Sequence, residues 1–140
     1  MPMEFHITSN AEEVLKAKDE VIEKILETWG LLAESHAIDN ITAAGRIDSG
    51  ELRNSISHHS EPSEKTVYIG TNVEYAVYNE IGTGIYLEGG GGRQTPWRYQ
   101  DEKGNWHVTR GMKPIHFLRD AIQEHLDEYQ AVADQELRQG

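Results

Sequence analysis

Four consecutive glycines, Gly89, Gly90, Gly91 and Gly92, stand past the middle of this 140-residue chain and set it a limit, since such a run fits neither a helix interior nor a packed strand. Each glycine loses more backbone freedom on ordering than any other residue, so residues 82–92 are expected to form a loop that is mobile when alone. The residues that follow differ chemically from the rest. Between Arg93 and Arg119 six Lys or Arg face two Asp or Glu, a local charge of +4 in a chain whose net charge is −11. Trp97 and Trp106, two of the three tryptophans, lie here with Tyr99, Arg98 and Arg110. The pattern predicts a hairpin with strands over residues 95–100 and 105–110 and a turn at Asp101, Glu102, Lys103 and Gly104. Loop and hairpin together, residues 82–111, read as a flexible arm that reaches away from an acidic body.

The body is predicted from helical periodicity. Ser9 followed by Glu12 is a capping-box pair. Val14, Leu15, Val21, Ile22, Ile25, Leu26, Trp29 and Leu32 then recur at helical spacing, and the pattern extends through His36, Ala37 and Ile41 to Ala44 before Gly45 stops it. Gly30 is a candidate bend. Asp48 or Ser49 caps a short helix that sends Leu52 and Ile56 to one side. Residues 55–60 then run extended, Glu61, Pro62, Ser63 and Glu64 turn, and residues 66–70 form a strand with Val67 and Ile69 on one face, so a hairpin is expected. Residues 74–81 read as a short helix with Tyr75, Tyr78 and Ile81 on a common face. Pro114 opens the last helix, whose stripe is Phe117, Leu118, Ala121, Ile122, Leu126, Tyr129, Val132 and Ala133. The expected class is α+β: long N-terminal and C-terminal helices packed on a small, mainly antiparallel sheet, with a projecting glycine-rich loop and hairpin, in one domain over residues 1–140.

No catalytic, metal or cofactor site emerges from spacing. Seven histidines are present, but His58 and His59 are neighbours that a strand points to opposite faces, and His125 merely has Glu124 and Glu128 near it. No His-Glu-x-x-His pattern occurs, no Gly-Lys-Ser/Thr closes the glycine run into a phosphate loop, and no serine sits in a Gly-x-Ser-x-Gly elbow. With no cysteine, disulfides and thiolate sites are excluded. No segment is apolar enough to cross a bilayer and the first residues lack a leader pattern, so a soluble chain made in cytoplasm is expected. The net negative charge opposes general affinity for nucleic acid.

The aromatic and basic cluster has three readings. Cross-strand aromatic pairs can simply stabilise a hairpin. Aromatics beside Arg98, Lys103 and Arg110 can stack bases, the basis of a nucleic-acid-binding alternative. Trp and Arg are also the residues enriched at protein-interface hot spots, which makes Arg93, Trp97, Arg98, Tyr99, Trp106 and Arg110 candidate subunit contacts. Charge favours this last reading. Residues 9–44 hold eight carboxylates against three lysines, and residues 120–140 hold six against Arg138 alone, so each helical segment carries −5. A basic arm lying on an acidic helix of the next copy would be a heterologous contact, which closes into a ring when the rotation permits.

Several blocks together resemble a known family. Arg46-Ile47-Asp48-Ser49-Gly50-Glu51-Leu52-Arg53-Asn54-Ser55-Ile56 is similar to the Asp-Thr/Ser-Gly-x-Leu-Arg-x-Ser-Ile signature of the tailed-phage tail-component or neck proteins named for gene product ten of phage Hong Kong ninety-seven. The run from Val67 to Gly84, which contains Ile69-Gly70-Thr71 and then Tyr75-Ala76-Val77-Tyr78-Asn79-Glu80-Ile81-Gly82-Thr83, resembles its second block. Residues 97–111 are similar to an insertion with Trp and Gly. Met112-Lys113-Pro114-Ile115-His116-Phe117-Leu118 matches its last block, with His116 where proline is usual. The resemblance covers about residues 45–122. It implies a virion protein of a long-tailed phage or prophage that is assembled in the host cytoplasm as an oligomeric ring. Its place would be the head–tail junction, beside other neck, head-closure or tail proteins, with DNA passing through unbound and no membrane involved. It implies no catalytic residue, metal or cofactor. Asp48, Ser49, Gly50, Leu52, Arg53, Ser55, Tyr75, Glu80, Gly82, Thr83, Pro114, Phe117 and Leu118 would be its fold-defining positions.

Overall fold

The computed structural model describes residues 3–8, 18–45, 50–100 and 103–139. The described chain is α+β, with two antiparallel sheets. Its elements run β1 (Met3–Thr8), α1 (Asp19–Ala44), α2 (Gly50–Ser55), β2 (Ser57–Glu61), β3 (Thr66–Thr71), α3 (Ala76–Ile81), β4 (Trp97–Gln100), β5 (Trp106–Thr109), α4 (Phe117–Gln123) and α5 (Leu126–Gln139). The expected capping pair Ser9 and Glu12, the first helical residues Val14 and Leu15, and the motif positions Asp48 and Ser49 lie outside the described residues, as do Asp101 and Glu102.

Strand β3 is the centre of the larger sheet, in the order β1-β3-β2. The predicted hairpin pairs Ser57 with Gly70 and Glu61 with Thr66, around a single turn of 3-10 helix over Pro62–Glu64. The other edge is a strand that the sequence reading did not assign. β1 alternates Met3, Phe5 and Ile7 with Glu4, His6 and Thr8, and pairs antiparallel with β3 from Met3↔Thr71 to Thr8↔Thr66. Gly70 is required by that approach, because a Cβ there would lie 2.2 Å from the Met3 carbonyl oxygen.

α1 covers one face of this sheet and carries most of the core. Ile22, Ile25, Leu26, Trp29, Ala33, Ala37 and Ile41 are all buried, against Val67 and Ile69 of β3 and Phe117, Leu118, Ala121 and Ile122 of α4. The helix ends where expected, at Gly45 in the left-handed conformation (φ 64°). Gly30, the candidate bend, lies inside the helix and makes room instead: a Cβ would sit 2.2 Å from His58 Cδ2 of β2. α1 runs antiparallel to the C-terminal helices. Lys24 meets Glu136 (3.1 Å), Trp29 Nε1–H donates to the Tyr129 carbonyl (2.8 Å), and Asn40 Nδ2 donates to the Phe117 carbonyl (3.2 Å).

The last helix differs from the single run that Pro114 was expected to open. Helix begins at Phe117, three residues later, and it breaks at Glu124 and His125. In an unbroken helix the His125 amide would bond the Ala121 carbonyl. Here the Tyr129 hydroxyl donates to that carbonyl, and the His125 amide bonds Ile122 instead. The break turns Leu126 out of the predicted apolar stripe, leaving it 52% exposed. The short helix α3 also departs from its expected face. It buries Ala76, Asn79 and Glu80, while Tyr78 faces solvent.

Candidate functional site

β4 and β5 form a two-stranded ribbon that hydrogen-bonds to neither edge of the larger sheet, with Trp97 opposite Thr109, Arg98 opposite Val108, Tyr99 opposite His107 and Gln100 opposite Trp106. Side chains alternate between the two faces of such a ribbon. One face carries Trp97, Tyr99, His107 and Thr109, and three of these are half-buried. The other carries Arg98, Gln100, Trp106 and Val108, all exposed, with Trp106 at 59% and Val108 at 71%. The Arg98 guanidinium lies 5.0 Å from the Trp106 ring centre, the Arg93 guanidinium 5.5 Å from that of Trp97, and Tyr99 stacks on His107 at 5.1 Å. Cation and ring thus hold one another in place on a surface open to solvent. Of the six candidate contacts, the outward face unites Arg98 and Trp106. Trp97 and Tyr99 belong to the opposite face, Arg93 packs beside Trp97, and Arg110 stands at the ribbon's base.

That base is firmly stitched. Thr83 N–H donates to the Met112 carbonyl (2.9 Å), Ile85 N–H to the Arg110 carbonyl (3.1 Å), and Met112 N–H to Thr83 Oγ1 (2.9 Å). The backbones cross so closely at Gly84 and Gly111 that a Cβ on either would fall about 2 Å from a carbonyl oxygen of the opposite segment. Gly89, Gly90 and Gly91 instead have open space around them.

Below the base, five of the motif residues, Glu80, Gly82, Pro114, Phe117 and Leu118, meet around the start of α4. His116, at the N-terminus of α4, has φ 47° and a side chain that supplies no cap to the helix. The cap comes from α3: the buried Glu80 carboxylate accepts from the Leu118 amide (2.8 Å) and the Arg119 amide (3.3 Å), two donors a helix start leaves unpaired. His116 Nδ1 stands 3.4 Å from Glu80 and its Nε2 2.6 Å from Glu88, just before the glycine run. Burial pushes the Glu80 carboxyl above its ordinary pKa, against the pull of the two amides and His116. Gly82 (φ 85°) ends α3 beneath Pro114, and Phe117 and Leu118 are fully buried. In α2, Leu52 is core, and Ser55 joins the Leu52 carbonyl to the Thr71 hydroxyl. Arg53 reaches Thr42 at 3.5 Å, Gly50 starts α2, and Tyr75 packs at the edge of the core.

Two histidine sites were not legible beforehand. His58 points inward, with Glu27 at Nε2 (3.0 Å) and Glu34 at Nδ1 (2.7 Å), while His59 faces outward and stacks on Tyr68. The opposite orientation of these neighbours was expected; the carboxylates of α1 flanking His58 were not. His36 and His125 stack face to face with Glu128 alongside. The helical spacing of His125 and Glu128 was visible, but nothing local marked His36 as their partner. Comparison with protein-family models, with curated proteins and with solved structures finds no match.

Proposed function

We propose that this chain is a structural subunit of a long-tailed phage or prophage particle, which assembles as a ring at the head–tail junction through its ribbon. The observation that carries the reading is the outward face of β4 and β5, where Trp106, Val108 and Arg98 stand exposed on a well-anchored base. An aromatic and an arginine that already pack on one another form an interface anchor that loses little side-chain freedom on binding.

A fitting receptor lies on the same molecule. The solvent side of α1 carries Glu20 and Glu23 along the row that leads, past the His58-bound Glu27, to Leu31, which is 55% exposed. A row of carboxylates that ends at one apolar side chain complements a ribbon with arginine beside Trp and Val. Ribbon and α1 are different patches, so their contact between copies is head-to-tail and generates a ring when the rotation closes. The acidic remainder of the surface suits a lumen through which DNA slides, since like charge prevents lasting phosphate contacts. Other neck, head-closure or tail proteins would dock on the ring. Alanine at both Trp97 and Trp106 is expected to leave a folded subunit that assembles poorly; unchanged assembly by light scattering would remove the reading.

The exposed Trp106 with Arg98 above it also favours a second reading, single-stranded nucleic acid stacked on the ribbon. It requires salt-sensitive binding in a gel shift that is lost on changing Arg98 and Arg110.

A further inference from the structure

Outside the ribbon, three places in the described residues bring a histidine against two other histidine or carboxylate side chains. At His58 and at His116 the ring stands between two carboxylates, one at each nitrogen. Donors at opposite edges of a ring cannot meet on one ion, and both groups are closed bridges. The third place is different. One ligand atom each from His36, His125 and Glu128 lies within 4.8 Å of the other two, and His36 Nε2 is 2.9 Å from Glu128 Oε1. The rings of His36 and His125 are parallel within 4° with centres 3.4 Å apart, and among the described residues the His125 ring has no hydrogen-bond partner.

We propose that His36, His125 and Glu128 bind a divalent transition ion of the zinc class, with water completing the coordination. Two imidazoles and one carboxylate are a donor set for zinc, nickel or copper, whereas magnesium and calcium call for shells of oxygen. The ligands sit on firm supports: His36 within α1, His125 at the break between α4 and α5, and Glu128 in the first turn of α5. The break itself is fixed by Tyr129, whose hydroxyl takes the Ala121 carbonyl. The Glu128 side chain is 41% exposed, which gives an ion a way in. Parallel rings keep their lone pairs in separate planes, so occupation requires one imidazole to turn about its Cβ–Cγ bond, a torsion with a broad minimum. The ion replaces whatever proton His36 Nε2 shares with Glu128, which passes to solvent, and no covalent bond changes. Once bound, it ties α1 to the joint of the C-terminal helices. This inference is independent of the ring reading.

The test is a calorimetric titration of the full, tag-free chain with zinc chloride, and with magnesium chloride as the hard-cation control. One zinc per chain is expected. At hundredfold excess over Kd it should raise the unfolding midpoint by about 5–10 °C, because an ion that binds only the folded state stabilises it by mass action; magnesium should do neither. His125→Gln removes a ring that holds no hydrogen bond, so the variant should fold and bind zinc about tenfold or more weakly. Absence of zinc uptake by the wild type would overturn the proposal. Equal affinity in His125→Gln would also overturn it, by assigning the zinc to other histidines.

Discussion

Glu80 shows how one side chain can hold several segments together. His116 occupies the helix start without offering an oxygen, so the two amides of α4 depend on a carboxylate 38 residues earlier in the chain. Glu80→Ala leaves the buried Leu118 amide and the part-buried Arg119 amide without this acceptor and is expected to cost about 2–4 kcal/mol in urea unfolding, with Glu80→Gln recovering part of it because one acceptor remains. Equal losses in the two variants would contradict the capping role. His58 makes a pH-dependent contribution. Burial works against its charge, but Glu34 and Glu27, one at each nitrogen, outweigh this and hold its pKa above the ordinary histidine value. A raised folded-state pKa gives stability that is complete below the unfolded value and is lost as pH rises through the folded one. The advantage of wild type over His58→Gln should therefore be larger at about pH 6 than at about pH 8.5. A difference that is flat across that range would show that packing beneath Gly30, not charge, is what His58 provides.

The elements differ in how much local sequence reveals them. α1, α2, the β2–β3 pair and the ribbon each have a signal within their own residues: apolar side chains at helical spacing, a turn with proline, or alternating aromatics. β1 also alternates, but its partner strand lies some sixty residues away, and only pairing with β3 makes an edge strand of it. The break before α5 has no glycine or proline to announce it, since its cause is the Tyr129 hydroxyl competing for a backbone carbonyl. The glycines divide in a similar way. Gly90 and Gly111 both have positive φ (80° and 140°), yet only Gly111 faces a carbonyl oxygen, that of Thr83, 2.1 Å from where its Cβ would be. Gly111→Ala should accordingly loosen the ribbon base and speed amide exchange at Thr83 and Met112, whereas Gly90→Ala carries only its backbone strain, about 1–2 kcal/mol. Similar exchange in the two variants would count against a tightly crossed base.

Across the whole molecule, charge separates a basic ribbon from an acidic helical body, and that separation is readable from composition along the chain. The candidate surface was only half legible. Sequence named Trp97, Arg98, Tyr99 and Trp106 together, but strand alternation and packing assign them to two faces, of which the one with Arg98 and Trp106 is open. The proposed receiving side, the row from Glu20 and Glu23 to Leu31, needs the helix orientation that the core fixes. Because the chain has no cysteine, engineered thiols can test their contact cleanly. The measurement is to mix chains carrying Val108→Cys with chains carrying Leu31→Cys under assembly conditions, oxidise mildly and look for the mixed disulfide dimer. The account predicts that this dimer forms in assembled rings and disappears when Arg98→Glu is added to the Val108→Cys chain. Rings that assemble without any such cross-link would contradict it.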